Sequence, residues 1–579
     1  MYYIYQMAAI ITALDTYTPR QTGENGHVEY GWSNDIKERI VQFSFQVTRT
    51  DKSQLSNLET VLDDILTVLK NKVESTSVAE RTVGLEFLTV LYKMIGQTRD
   101  IIDGKGECAL AYMMIYAWYS FNPVLAFFAL RCLVDFGDEG KTHQYGSWKD
   151  LKYFCEYCKS KGAVITHPLI QHSIQLINEQ LRKDIVSTNP SLVSKWVPRE
   201  KSTFGWLFTP LACQYFSSYI ETAKTATSVS KATLKCKTEY RKLLSSLNKK
   251  LDTLQIKQCG KEWAQIDFNH VTSVSISKQK KAFLNKTKEN TDRSLEQDRI
   301  DCAEHYREHI QKGKNGEVVI KGKRVGMENF TAQALRLLEV SDQAEIDTLN
   351  LQWNDNATQT GALGKFVAMV DVSGSMSGDP MNAAIALGIR VAEKSALGRR
   401  VLTFSSNPTW CNLDGVNTFV GMVRVLQRAD WGQNTNFYAA LDMILNAIVD
   451  AKLTPEEVEG MVLAVFSDMQ MDEAGSYGGA LYDNIVEKYE KTGIRLHGKA
   501  FQPPHILFWN LRSGNGFPTL STQKNVSMLS GFSPSLLNLF CEQGIDALQD
   551  LSPWSTLIRA IEKERYNIMG YKIAEVIVI

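Results

Sequence analysis

The segment Lys365–Met376 reads KFVAMVDVSGSM, an apolar run that changes abruptly into a polar turn. Its apolar part, rich in Val and Phe, is typical of a short strand that is buried on both faces. Strands that alternate with helices predict a doubly wound, Rossmann-like α/β domain around a parallel sheet. Further strands are predicted at Arg399–Phe404, Met461–Ser467, Ile506–Asn510 and Val526–Leu529, and helices at Met381–Lys394, Val416–Arg428 and Phe437–Ala451.

Oxygen-bearing side chains leave the first of these strands at alternate positions. Asp371, Ser373 and Ser375 lie on the turn, where Gly374 permits a tight bend that aims all three at one point. Hard oxygen ligands of this kind suit Mg²⁺ or Mn²⁺, and ligands of parallel sheets bind at the carboxyl ends of the strands. We therefore predict a divalent-metal site, and the alternative is a degenerate turn that binds no metal.

This pattern resembles the metal-ion-dependent adhesion site of von Willebrand factor A-type domains, whose first loop reads Asp-x-Ser-x-Ser. In that family a threonine from a second loop and an aspartate from a third complete the site. Thr435, before a predicted helix, and Asp468, after a predicted strand, take these places here. The resemblance implies that an acidic group of a partner fills the open position on the metal. Because no base neighbours Ser373 or Ser375, we predict recognition and no enzymatic activity.

The first half of the chain reads mostly as helices, from about Ser33 to Phe283. Apolar residues recur at helical spacing in successive segments with short loops, which predicts an α-solenoid or a helical ring. The uncharged stretch Cys108–Leu130 is long enough to span a bilayer, but Asn122-Pro123 interrupts it. Since helices usually end before a proline, we predict a buried helical hairpin and no membrane span.

The charge of the chain is balanced overall and uneven locally. The sequence holds 64 Lys and Arg against 64 Asp and Glu, which excludes a uniformly basic nucleic-acid binder. Residues 231–324 carry 22 Lys and Arg against 12 Asp and Glu, a formal excess of +10. This excess favours a surface that contacts RNA phosphates, and the alternative for any one cluster is a solvated helix face. The candidate RNA-binding residues are Lys235, Lys237, Arg241, Lys242, Lys278, Lys280, Lys281, Lys321, Lys323 and Arg324.

Four upstream segments, with the A-type domain behind them, resemble the Ro autoantigen (TROVE) group and its uncharacterised sister family. They are Ile95–Glu107, Tyr145–Cys155, Val193–Ser202 and Tyr240–Leu251. The resemblance covers the chain from about residue 34 and implies a ring of HEAT-like helices, closed by the A-type domain, that binds RNA as part of a ribonucleoprotein. Four basic residues of the matching segments either face a phosphate or form salt bridges or face solvent: Arg99, Lys105, Lys149 and Lys152.

The sequence therefore predicts an all-α part followed by an α/β part. We divide the chain into an N-terminal extension (1–33), a HEAT-like helical domain (34–355) and an A-type domain (356–579).

The leading hypothesis is a non-catalytic, ring-shaped RNA-binding protein with a Mg²⁺ or Mn²⁺ adhesion site. The alternative is a metal-dependent protein-interaction scaffold without RNA. The ten scattered cysteines indicate a reducing compartment, and hence a cytoplasmic protein.

A hydrolase is the third class, raised by the motif His305–His309 (HYREH). It matches the pattern of inverted zinc peptidases, and its two histidines share a helix face. The surrounding helix is charged on nearly all sides, and no third ligand is visible. We therefore predict an exposed helix rather than a zinc site.

Overall fold

The computed structural model describes residues 17–137, 141–429, 431–432, 434–472, 479–541 and 545–577. The chain is mostly helical up to residue 357 and then alternates strands with helices around one sheet. This confirms the expected all-α part followed by an α/β part. The helices before the sheet are Ile36–Gln46, Lys52–Val73, Val78–Arg99, Cys108–Phe121, Pro123–Cys132, Lys149–Ser160, Pro168–Val186, Val193–Trp196, Phe208–Tyr215, Ser217–Glu221, Ala226–Leu251, Leu254–Gly260, Ser273–Phe283, Gln297–Lys314, Met327–Val340 and Gln343–Ala357.

A six-stranded sheet organises the second part of the chain. Its strands are β3 (Phe366–Asp371), β4 (Arg400–Phe404), β5 (Thr409–Asn412), β6 (Val462–Ser467), β7 (His505–Asn510) and β8 (Val526–Ser530). The order is β5-β4-β3-β6-β7-β8, and every neighbouring pair is parallel except β4 and β5. Sequence analysis located all of these strands except β5, a four-residue strand of which only Cys411 is buried.

Helices and a short hairpin surround this sheet. The hairpin is formed by β1 (Arg20–Thr22) and β2 (Val28–Tyr30), which precede the first described helix. The helices after β3 are Asp379–Lys394, Phe419–Gln427, Phe437–Ala451, Pro455–Glu459, Leu481–His497, Ile545–Gln549, Pro553–Ile561 and Asn567–Val576.

Both faces of the sheet are buried, and each face belongs to a different hydrophobic core. Met369 of β3 lies in a core shared with helices from the first half of the chain. Its neighbour Val370 lies in a second core, together with residues of Met327–Val340 and Asp379–Lys394. The helix Met327–Val340, which sequence analysis assigns to the helical domain, therefore shares its core with the sheet.

The end of the chain returns to the first helices. The helix Asn567–Val576 packs on Val78–Arg99. Just before it, the Tyr566 hydroxyl donates a hydrogen bond to Asp100 Oδ2 at 2.8 Å, and Arg565 Nε lies 2.6 Å from the same oxygen. The two parts of the chain are thus held together by packing as well as by the chain connection.

The apolar stretch Cys108–Leu130 forms the predicted helical hairpin. Its helices, Cys108–Phe121 and Pro123–Cys132, meet at Asn122, whose side chain accepts hydrogen bonds from two backbone N–H groups of the second helix. Among the described residues, no helix is long and apolar enough to cross a membrane.

Sequence analysis left phosphate contact open for Arg99 and Lys105, but the structure buries both residues. Arg99 is buried, and its guanidinium donates to both carboxylate oxygens of Asp150 at 2.8 Å. Lys105 is also buried, and its ammonium donates to the carbonyls of Ser44 and Val47 and to the hydroxyl of Ser530. Lys105 therefore ties a helix end to the end of β8.

We expect Asp150→Ala to destabilise the protein by roughly 3–5 kcal/mol, because it leaves the buried Arg99 guanidinium without a counter-charge. The exposed pair between Arg39 and Asp64, at 3.0 Å, provides the control. Asp64→Ala should cost less than about 1 kcal/mol. Urea unfolding followed by circular dichroism measures both changes, and equal effects of the two substitutions would contradict the prediction.

Candidate metal centre

The candidate site lies where the strand order of the sheet reverses. Along the chain, β4 is added on one side of β3, and β6 lies on the other side. The carboxyl ends of β3 and β6 therefore border a crevice of the kind in which open α/β sheets bind ligands. Asp371 is the last residue of β3, and Asp468 directly follows β6. Val370 pairs with Phe466 across the two strands, so both carboxylates leave at the same edge.

The turn after β3 gathers the first three predicted ligands. The backbone N–H of Ser373 donates to Asp371 Oδ1 at 3.0 Å, and the hydroxyls of Ser373 and Ser375 lie 3.1 Å apart. A single 3₁₀ turn, Gly374–Met376, produces this arrangement. The structure thus brings Asp371, Ser373 and Ser375 together as the sequence predicted.

A further residue, Ser467, orients the carboxylate of Asp371. Its hydroxyl donates to Asp371 Oδ2 at 2.6 Å and accepts the backbone N–H of Met469 at 3.0 Å. Sequence analysis did not select Ser467, although its place at the end of β6, beside Asp468, was the available signal. Both oxygens of the buried Asp371 are therefore held in fixed positions.

Thr435 and Asp468 each present a buried oxygen atom without a partner. Thr435 is fully buried and Asp468 is 5% exposed. Thr435 Oγ1 and Asp468 Oδ2 make no hydrogen bond with the described part of the chain, whereas Asp468 Oδ1 accepts the backbone N–H of Gln470 at 3.2 Å. The Asp472 N–H donates to the carbonyl of Thr435 at 3.0 Å, which ties the two loops together. Buried oxygens without partners are costly, and a bound cation would satisfy them.

The electrostatics of the site indicate missing positive charge. Burial raises the pKa of Asp371 to about 7, and the charge of Asp468 adds to this rise. Burial also raises the pKa of Asp468, and the Gln470 N–H, the Ser375 hydroxyl and the positive charge of Arg512 oppose that rise. A divalent cation between the carboxylates would lower both pKa values, because it stabilises their charged forms.

The site opens into a cavity of about 490 Å³ between the sheet edge and the helical part. One wall is fixed, because Arg49 Nη2 lies 3.0 Å from Glu107 and Arg49 Nη1 lies 2.8 Å from Glu328. The cavity is also lined by the exposed Arg512, whose guanidinium has no hydrogen bond or ion pair with a described residue. Ser513 follows, with a buried hydroxyl that also has no partner. The cavity therefore offers an unpaired cation and an unpaired hydroxyl beside Asp468.

The donor set fits a hard divalent cation. Asp371, Ser373 and Ser375 share one turn, Asp468 follows the neighbouring strand, and Thr435 lies on the loop that Asp472 contacts. Mg²⁺ prefers carboxylate and hydroxyl oxygens such as theirs and keeps water in its remaining positions. Among the described residues, no three His, Cys, Asp or Glu side chains group closely enough to hold a metal. The candidate centre has only two carboxylates, so its metal binding depends on the hydroxyls.

Most of the candidate RNA-binding residues on the helix Ala226–Leu251 take part in ion pairs. Lys237 and Arg241 both pair with Glu200. Lys242 pairs with Glu239 at 2.9 Å. Lys235 is exposed, and its ammonium lies 4.0 Å from the centre of a tyrosine ring.

The other candidate RNA-binding residues differ widely in exposure. Lys280 was wrongly expected at the surface: it is 3% exposed and donates to Gln333 Oε1 at 2.7 Å, because its helix packs this face inward. Lys281 lies 3.5 Å from Glu345, and Arg324 donates to the carbonyl of Ile101 at 2.6 Å. Three residues keep side-chain ammonium groups without a described partner, namely Lys278, Lys321 and Lys323.

A different basic surface has aromatic rings among its lysines. The ammonium of Lys152 lies 4.9 Å from the ring centre of Trp196 and 5.4 Å from that of Phe204. Lys195 lies 5.6 Å from Trp196, and Tyr153 packs edge-on against Phe204. We call Lys149, Lys152, Tyr153, Lys195, Trp196 and Phe204 the lysine–aromatic patch. Its three lysines form no ion pair with a described residue.

The histidine motif lies on a helix that is buried along one side, contrary to the expected exposed helix. Tyr306 is fully buried in a third core, and His309 is 7% exposed and packs on Phe268 with ring centres 5.6 Å apart. His305 Nδ1 lies 3.0 Å from the carbonyl of Ala264. The motif therefore contributes to packing, and no described third ligand joins the two histidines.

Comparison with known proteins finds similarity along nearly the whole chain. Residues 365–555 match a family described as a domain of unknown function (DUF7788), and residues 169–363 match another such family (DUF2828). The chain is also 28% identical over 562 residues to the uncharacterized protein L728 of Acanthamoeba polyphaga mimivirus. That match covers 93% of this chain and 86% of the viral protein. The stretch that matches DUF7788 begins at the strand that carries Asp371, so the candidate centre lies within this stretch.

Replacing one hydroxyl tests whether Thr435 is a metal ligand. Thr435→Val should raise the stability of the protein in EDTA by about 1 kcal/mol, since it removes an unsatisfied buried hydroxyl. It should also abolish the stabilisation by Mg²⁺, which for the unaltered protein is about 2.7 kcal/mol at a hundred times the Kd. Thermal unfolding with and without Mg²⁺ measures both effects.

Thr331 provides the matched control, because its hydroxyl is also buried without a partner but lies on the helix Met327–Val340. Thr331→Val should give the same rise in EDTA and keep the full response to Mg²⁺. A Thr435→Val protein that still gains stability from Mg²⁺ would contradict the assignment of this ligand.

Proposed function

We propose that this protein is a non-catalytic binding protein that holds Mg²⁺ or Mn²⁺ at the edge of its sheet and captures an acidic group of a protein partner there. The observation that carries the proposal is the pair of buried oxygens without partners, Thr435 Oγ1 and Asp468 Oδ2, at the end of the sheet that also holds Asp371. The resemblance to the adhesion site of von Willebrand factor A-type domains supports it.

Each residue of the centre has a distinct part in this proposal. Asp371 and Asp468 supply negative charge, while Ser373, Ser375 and Thr435 supply neutral oxygens. The bound cation offers an open position to a ligand from outside. The cavity admits that ligand, and its volume of about 490 Å³ suits an acidic side chain with part of its backbone.

Arg512 selects the ligand by charge. Its guanidinium lines the cavity beside Asp468 and is not neutralised by an ion pair with any described residue. A carboxylate in the cavity would be neutralised by both the cation and Arg512, whereas an uncharged amide would make weaker contacts with both. The proposed partner group is therefore a glutamate or aspartate on an exposed segment.

Binding of a short polyglutamate peptide tests the proposal directly. We expect Mg²⁺-dependent binding that polyglutamine does not reproduce and that Asp371→Asn abolishes. Arg512→Ala should weaken binding about tenfold or more, the effect of losing a charge-assisted hydrogen bond. Arg424→Ala, at an exposed arginine of the helix Phe419–Gln427, is the control and should leave affinity unchanged. Isothermal titration calorimetry measures these affinities, and peptide binding that persists in EDTA would contradict the proposal.

RNA binding is the second candidate, and the lysine–aromatic patch favours it. Unpaired lysines beside partly exposed rings suit single-stranded RNA, whose phosphates bind the ammonium groups and whose bases stack on the rings. The patch lies largely in segments that resemble the TROVE group. The return of the C-terminal helices to Val78–Arg99 supports the closed helical ring that this resemblance implies. We propose a cytoplasmic location, since the scattered spacing of the ten cysteines favours a reducing compartment.

Salt dependence measures how many phosphates the patch contacts. The double variant Lys149→Gln and Lys152→Gln should bind single-stranded RNA more weakly and reduce the slope of log affinity against log salt by about 0.7 for each lost contact. The double variant Lys237→Gln and Lys242→Gln, at two lysines that are already ion-paired, should change neither quantity. Fluorescence anisotropy at several salt concentrations distinguishes the two surfaces, and a larger effect of the second variant would assign RNA binding to the helix Ala226–Leu251.

A further inference from the structure

Another cavity of about 490 Å³ lies where the long helix Ala226–Leu251 leads into the segment that forms the third core. The helix ends at Asp252, whose φ of 41° lies in the left-handed region. The carboxylate of Asp252 pairs with Lys257 at 3.1 Å across the turn that follows. Two stretches that are distant in sequence line the cavity, 192–195 and 251–275. Its volume lies within the range of small-molecule sites in proteins.

Apolar side chains form much of the cavity wall. Ile266 and Val271 are buried in the third core, and Leu254 packs against that core. Leu192 and Leu251 also line the cavity, but they belong to none of the three hydrophobic cores of the described chain. Leu192 is 46% exposed. Apolar surface that no core covers gains stability when an apolar ligand excludes water from it.

One positive charge at this cavity has no counter-charge. Lys195 lines the cavity and makes no hydrogen bond or ion pair with a described residue. Burial lowers the pKa of Lys195, because water only partly solvates its ammonium group. The other charged residues of the wall are paired, Lys257 with Asp252 and Asp267 with His270 at 2.6 Å. An anion beside Lys195 would therefore meet an unneutralised cation.

The first turn of the helix Ser273–Phe283 adds to this positive potential. Thr272, which caps the helix, and Ser275 both line the cavity. The Thr272 hydroxyl accepts the backbone N–H of Ser275, so the helix end acts on a ligand mainly through its partial positive charge. Its effect has the same sign as that of Lys195 and is smaller.

We propose that this cavity binds a small organic anion with an apolar body, of the class of aliphatic or aromatic monocarboxylates. The apolar body covers Leu192 and Leu251, and the carboxylate pairs with the ammonium group of Lys195. A single unpaired cation matches a single negative charge, whereas a phosphate monoester, with a charge of about −1.5 to −2, brings an excess. This cavity shares no lining residue with the one beside Asp468, so the binding does not depend on the metal.

Fluorescence titration with anilinonaphthalene sulfonate, an apolar monoanion, tests the inference. Decanoate should displace the probe, and octanoate should do so roughly tenfold less well, because its shorter chain buries fewer CH₂ groups. Lys195→Gln should weaken binding of the probe about tenfold or more, whereas Lys195→Arg should retain it. Lys149→Gln is the matched control, since it removes a positive charge from the lysine–aromatic patch but not from the cavity. This variant should leave the affinity unchanged.

A second pair of variants separates the apolar wall from the charge. Leu192→Ser should weaken binding of both the probe and its uncharged analogue, phenylnaphthylamine, while Lys195→Gln should weaken only the probe. Val186→Ser, at an exposed valine outside the cavity, should change neither affinity. If neither Lys195→Gln nor Leu192→Ser weakens the probe, it binds elsewhere and the inference is wrong. The inference also fails if decanoate does not displace the probe, or if Lys195→Gln weakens the probe and its uncharged analogue alike.

Discussion

Burial of both faces of the six-stranded sheet is the constraint on which the rest of the structure depends. A parallel sheet has no face that tolerates water, so each of its two apolar faces needs its own cover. The face that includes Met369 is covered in part by the first half of the chain, and the face that includes Val370 is covered by helices on either side of β3. The helical part is therefore a structural requirement of the sheet rather than an appended module.

This shared packing explains why the candidate metal centre lies in a cavity rather than on an open surface. The C-terminal end of the helix Ile36–Gln46 meets the ends of β7 and β8, where Asn510 donates to the carbonyl of Phe45 at 3.0 Å. The chain that continues from this helix carries Arg49 past the metal edge, where Glu107 and Glu328 fix it. A wall of the cavity thus comes from the helical part, and a ligand bound there would contact both parts of the chain.

Sequence reasoning located the parts of the site that are local and missed those that depend on tertiary contacts. Asp371, Ser373 and Ser375 could be predicted because one turn carries them, and Asp468 because strand ends of a parallel sheet share an edge. Arg512 has no motif of its own, and only the fold brings it to the cavity beside Asp468.

The basic segment 231–324 shows why a linear count of charge misjudges a surface. Its excess of +10 is reduced in space by acids from outside the segment: Glu200 neutralises Lys237 and Arg241, and Glu345 lies beside Lys281. The lysine–aromatic patch lies outside the basic segment, in a stretch (149–204) with a smaller excess, 9 Lys and Arg against 5 Asp and Glu. Its lysines are exposed to a ligand because aromatic rings, rather than carboxylates, surround them, and rings attract cations without cancelling their charge. What favours RNA at this surface is therefore the absence of described acidic partners and not the number of basic residues.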